Sequence, residues 1–161
     1  MTENFFNERL SRLVKTAYEE RQRGNDQFFR TLENIHGLLN ENGWTFYTSG
    51  RKRHVYKKNS KIVKIPRTFP HGIRANKSEI QNISQAESFI SEHIPDEYLF
   101  DNSGFWIVFE KVDDTYIPTE DEVNQIKRKI EKSRLSVLDV SETNIGKQKE
   151  QLIIYDFESN A

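Results

Sequence analysis

Apolar residues recur at three- and four-residue steps through residues 3–41. Phe6, Leu10, Leu13, Val14 and Ala17 form one stripe, and Phe28, Phe29, Leu32, Ile35, Leu38 and Leu39 form a second. This period lays a stripe along one side of an α-helix, so two amphipathic helices are predicted. Gly24-Asn25-Asp26 interrupts the pattern. Asp26 is expected to cap the second helix, and Gly43 after Asn42 to end it. From Trp44 the period falls to two. Trp44, Phe46, Val55 and the run Ile62-Val63-Lys64-Ile65 read as strands, with Asn59-Ser60 as a tight turn. Residues 44–66 are therefore predicted to form an antiparallel meander of three strands.

Pro70-His71-Gly72 reads as a loop, and residues 75–92 as a helix with Ile80, Ile83, Ala86, Phe89 and Ile90 on one face. A short strand near Tyr98–Phe100 follows, then a turn at Asp101-Asn102-Ser103-Gly104 and an aromatic strand from Phe105 to Glu110. Residues 119–134 form a helix capped by Thr119, with acids in the first turn and bases in the last, as the helix dipole favours. Val123, Ile126 and Ile130 are its inward positions. A polar loop then leads to the apolar run Leu152-Ile153-Ile154-Tyr155. The fold class is α+β: an antiparallel sheet of about five strands, a helix between the third and fourth, two N-terminal helices, and a C-terminal helix plus hairpin. Residues 1–42 form a helical element and 43–161 the remaining domain.

Composition narrows the chemistry. The 161 residues are 35% hydrophobic and 30% charged, a lean core to which eleven Phe, six Tyr and two Trp add large buried areas. There is no Cys, which excludes disulfide scaffolds, Cys-bearing zinc sites and thiol catalysis. The start of the chain lacks a signal-peptide core, and no apolar run approaches the roughly 20 residues of a membrane helix. A cytoplasmic protein with no membrane contact is expected. His36, His54, His71 and His93 show no metal-ligand spacing and are expected to be structural or exposed. No nucleophile-elbow motif marks a Ser-His-Asp site.

Net charge is −1, but it is unevenly spread: residues 51–67 hold eight Lys or Arg and no acid, and 110–122 hold six acids and one Lys. The basic ribbon, with His54, Tyr56 and Phe69 interleaved, has the makings of a nucleic-acid backbone track, or of a solvated strand face. Near the C-terminus, Asp139 and Asn144 sit on a polar loop and Asp156 follows an apolar strand. Such oxygen donors suit Mg²⁺ shared with phosphate. The plain alternative is a hairpin with exposed acids.

The order of elements resembles the protein-kinase-like fold, over about residues 44–158. Thr48-Ser49-Gly50-Arg51-Lys52-Arg53 stands where that family has its glycine-rich loop. Ile62-Val63-Lys64-Ile65 resembles the Val-Ala-Ile-Lys strand, Asp139 and Asn144 have the Asp-four-residues-Asn spacing of the catalytic loop, and Asp156-Phe157-Glu158 resembles Asp-Phe-Gly. The likeness is greatest to small kinase-like proteins of bacteriophages and some prokaryotes. It implies a nucleotide site for Mg-ATP, with Gly50 and Arg51 in the phosphate loop and Lys64 on the phosphates. Glu79 would hold Lys64, Glu110 and Val112 would supply hinge backbone, and Asn144 and Asp156 would bind metal. Asp139 would be the catalytic aspartate that takes the acceptor proton.

The sequence departs from the family pattern at several points. Gly50 is the one glycine of its loop, Val137-Leu138 precedes Asp139 in place of His-Arg, and Glu158 replaces the glycine after Asp156-Phe157. Only Glu158 to Ala161 follow, so no activation segment or helical substrate platform is expected. The resemblance then implies a degenerate, pseudokinase-like protein that binds nucleotide and acts mainly by docking on a host or viral protein. Two alternatives stay open: an active minimal Mg-ATP phosphotransferase, and a nucleic-acid binder using the 51–67 ribbon.

Overall fold

The computed structural model describes residues 5–95, 97–110, 112, 115–132, 145–148 and 150–154. Phe5–Leu10 forms a π-helical turn that runs into α1 (Ser11–Gln22), and α2 is Gln27–Glu41. The strands β1 (Thr45–Ser49), β2 (Arg53–Lys58) and β3 (Lys61–Pro66) follow, then α3 (His71–Ile90), a 3₁₀ turn at Ser91–His93, β4 (Tyr98–Phe100) and β5 (Ile107–Glu110). The helix α4 (Glu120–Lys132) and a hairpin of β6 (Ile145–Gln148) and β7 (Gln151–Ile154) complete the described elements. The fold is α+β, with a five-stranded antiparallel sheet in the order β1-β2-β3-β5-β4 and a separate two-stranded sheet. Among the described residues no helix is long and apolar enough to cross a membrane.

The chain divides into two compact units, Met1–Asn76 with Leu99–Val108, and Lys77–Tyr98 with Phe109–Ala161. In the first, the N-terminal helices share one core with the strands: Phe6, Leu10, Val14, Phe28 and Ile35 pack with Trp44, Tyr56, Val63, Ile65, Trp106 and Val108. Phe6 is the centre of its aromatic part, with ring centroids 5.8 Å from Trp44 and 4.7 Å from Trp106. The Trp106 indole N–H donates to Ser11 Oγ at 2.7 Å, and that hydroxyl donates to Asp101 at 2.6 Å. A part-buried polar chain thus ties α1 to the turn before β5. In the second unit the predicted cap of α4 is present. Thr119 Oγ1 accepts from the Glu122 N–H at 3.2 Å and Glu122 accepts from the Thr119 N–H at 2.9 Å, a reciprocal capping box.

Two local expectations need correction. Asp26 makes no side-chain cap on α2; Asn25 Oδ1 accepts the Gln27 N–H at 2.9 Å instead. Both side chains have the right chemistry, and the backbone at Asp26 is already helical, which turns its carboxylate away from the capping position. The helix α3 starts at His71, four residues before the expected start, so Gly72 lies inside its first turn. A Cβ on Gly72 would stand 2.5 Å from the Lys52 carbonyl oxygen and 2.7 Å from Pro66 Cα. Glycine here serves close packing of the helix start under the β1–β2 loop, which its poor helix propensity conceals.

Candidate functional site

Cross-strand register decides where the cations of the 51–67 ribbon go. Arg53 pairs with Pro66, Val55 with Lys64, and Tyr56 with Val63. Side chains alternate along a strand and cross-strand partners share a face. Tyr56, Val63 and Ile65 therefore point into the aromatic core, and Arg53, Val55 and Lys64 to the opposite face. Lys64 sits on the middle strand of five and is 7% exposed. It is therefore no edge-strand surface lysine.

On that opposite face Arg53, also 7% exposed, donates to Asn76 Oδ1 at 3.0 Å. The Asn76 amide nitrogen donates to the Gly104 carbonyl at 3.0 Å and the Lys64 carbonyl at 3.4 Å. This fully buried asparagine links β2, β3, α3 and the β4–β5 turn. Asn76 did not stand out in the sequence as a site residue, and Arg53 entered only as part of the 48–53 loop and the basic ribbon. The available signal was a polar residue in the apolar stripe of a helix. On α3, Asn76, Glu79 and Asn82 interrupt a buried row that otherwise holds Ile73, Ile83, Ala86 and Ile90. Glu79 is 0% exposed and, like Lys64, has a polar or ionic partner in the fold.

The loop between β1 and β2 carries Gly50, Arg51 and Lys52, all exposed. It is pinned by backbone bonds: the Gly50 N–H donates to the Arg53 carbonyl at 2.9 Å, and the Arg67 N–H to the Lys52 carbonyl at 2.7 Å. The Arg67 guanidinium adds bonds to the Gly50 carbonyl at 2.9 Å and Ser49 Oγ at 3.2 Å. Ser49 Oγ lies 2.9 Å from His54 Nδ1. Burial, then the charge of Arg67 and then His36, holds the His54 pKa below its ordinary value.

The nucleic-acid track is not one surface. Arg53 and Lys64 are buried, Tyr56 is in the core with its hydroxyl bonded to His36, and Phe69 packs on Phe28 at 5.6 Å. Burial pushes the Tyr56 pKa up to about 12. Arg51, Lys52, Lys57 and Arg67 are the exposed cations of the ribbon, without an interleaved exposed ring from Tyr56 or Phe69. Alternation along a strand cannot say which face is covered, and here the N-terminal helices cover the aromatic one.

In the second unit, Glu110 closes β5 and its N–H donates to the Glu97 carbonyl at 3.1 Å; Val112 is buried. His93 is structural, as expected. Its Nδ1–H donates to the Leu152 carbonyl at 2.8 Å, and its Nε2 accepts from Lys129 at 2.9 Å. Lys129 also bonds Glu92 at 2.9 Å, so one turn holds both α4 and β7. Gly50, Arg51 and Lys64 thus fall in the first unit and Glu79, Glu110 and Val112 in the second. Asp139, Asn144 and Asp156 lie outside the described residues. Among the described residues no group of three His, Asp or Glu side chains is arranged to hold a metal ion. No protein-family model and no curated protein matches the chain.

Proposed function

We propose that the chain is a kinase-like nucleotide-binding protein that acts mainly by docking on a partner protein. The observation that carries this reading is the burial of Lys64 on the middle strand together with Glu79 on the following helix. Removing an ammonium and a carboxylate from water costs several kcal/mol per ion, and hydrophobic residues of similar volume often serve stability as well or better. A sheet under selection for stability alone has no use for Lys64. A phosphate site does, because a fixed cation on the α- and β-phosphates needs a partner carboxylate to hold it in place. Glu79 is the carboxylate that the resemblance implies for that role.

The strand order, with α3 between β3 and β4, agrees with this reading. In sequence, Asn144 adjoins Ile145 and Asp156 stands two residues after Ile154. An amide and a carboxylate are suitable oxygen donors for Mg²⁺. The weight placed on docking comes from the departures around Asp139 and Asp156. Thermal unfolding with and without Mg-ATP tests the nucleotide part. Nucleotide at one hundred times its dissociation constant stabilises the fold by about 2.7 kcal/mol. That shift is expected in the wild type and absent in Lys64→Met. No shift at millimolar Mg-ATP would refute it.

A further inference from the structure

The Ser49, His54 and Arg67 cluster is not accounted for by the nucleotide reading. Ser49 is exposed at the end of β1. The Arg67 guanidinium donates to its Oγ at 3.2 Å, which occupies a lone pair and leaves the hydroxyl proton to be given away. Two acceptors are in reach, His54 Nδ1 at 2.9 Å and the Gly50 carbonyl at 3.3 Å. The imidazole is the nearer, and it alone can take the proton outright. His54 is steadied on the sheet by the Phe46 ring at 5.7 Å. The charged or titratable groups facing it are Arg67 after β3 and His36 on α2, with Tyr56 further along its own strand. Neither Arg67 nor His36 favours a proton on the imidazole, so it stands ready as a base near neutral pH.

We propose that Ser49 is an activated nucleophile that accepts a phosphoryl group from phosphoric anhydrides and related phosphorus(V) electrophiles, with His54 as its general base. Oγ attacks phosphorus as its proton passes to His54 Nδ1. The Oγ–P bond forms while the bond from phosphorus to the leaving group breaks, and the leaving group departs with the electron pair. The His54 proton is then lost to solvent. The charge of the site selects phosphoryl over neutral acyl groups. The guanidinium of Arg67 already touches Oγ, and Arg51 and Lys52 stand exposed on the adjoining loop. A phosphate ester carries nearly two negative charges and is well matched to such cations.

The experiment uses a fluorophosphonate, which contains no nucleotide, so its outcome is separate from that of the Mg-ATP test. The full chain is labelled and the modified serine is located by peptide mapping; fluoride is the leaving group. Ser49 is expected to react at least ~10-fold faster than any other serine, and His54→Gln to slow it about 100-fold, the usual scale of general-base assistance. Ser49→Ala abolishes labelling at the site. The wild-type rate rises with pH through a midpoint below the ordinary histidine value of 6.5. That profile needs no substitution and so does not depend on the variants folding. Ser49 reacting no faster than other serines, or at a rate indifferent to both His54→Gln and pH, overturns the proposal.

Discussion

The two faces of the strand pair β2–β3 are built on different principles. One carries Tyr56, Val63 and Ile65 into a core shared with Phe6, Trp44 and Trp106. Area removed from water explains that face almost entirely, at roughly 25 cal/mol for each Å². The other face carries Arg53 and Lys64, with Asn76 holding strand and helix together through three hydrogen bonds. Burial there works against the charged side chains rather than for them. On the proposed reading, the aromatic face is scaffold and the polar face is what the protein offers a ligand.

Substitutions that act on one face at a time sharpen this contrast. The largest effect is expected on the scaffold. Trp106→Ala removes a nearly fully buried ring from against Phe6 and leaves Ser11 without its indole donor. Denaturant unfolding is expected to show a loss of about 3–5 kcal/mol, as for other core Trp or Phe truncations. A loss below about 1 kcal/mol would mean that Trp106 is not at the centre of a close-packed core.

The next effect separates cations close together in sequence. Arg53→Ala strands Asn76 Oδ1 in a buried setting and is expected to cost about 3 kcal/mol. Arg51→Ala, on the exposed loop two residues earlier, should stay within about 0.5 kcal/mol. Equal effects would erase the distinction between a buried polar face and a solvated loop.

Features set by neighbouring residues were legible in the sequence. The Thr119 cap, the Asn59-Ser60 turn and the three-strand meander all follow from local spacing. Those decided by distant groups were not. Gly72 reads as a loop residue because nothing nearby in sequence reveals the Lys52 carbonyl packed against it. Tyr56 and Phe69 read as a surface track because covering them required α2, far earlier in the chain. Lys64 and Glu79 were picked out by resemblance, and their burial is what the structure adds. The closeness of Ser49 and His54 follows from β1–β2 pairing, in which these two residues face each other directly. That register could be foreseen only once the loop length was known.

The most direct test of Lys64 and Glu79 as one functional unit is a double-mutant cycle, Lys64→Met with Glu79→Leu, read for stability and for stabilisation by Mg-ATP. On the proposed pairing, either substitution alone leaves a buried charge uncompensated and is expected to cost about 3–5 kcal/mol. The two together should cost far less than their sum, with stability near or above that of the wild type, while the nucleotide shift disappears. Strictly additive losses, or a double variant that is still stabilised by Mg-ATP, would contradict the coupling and with it the nucleotide site.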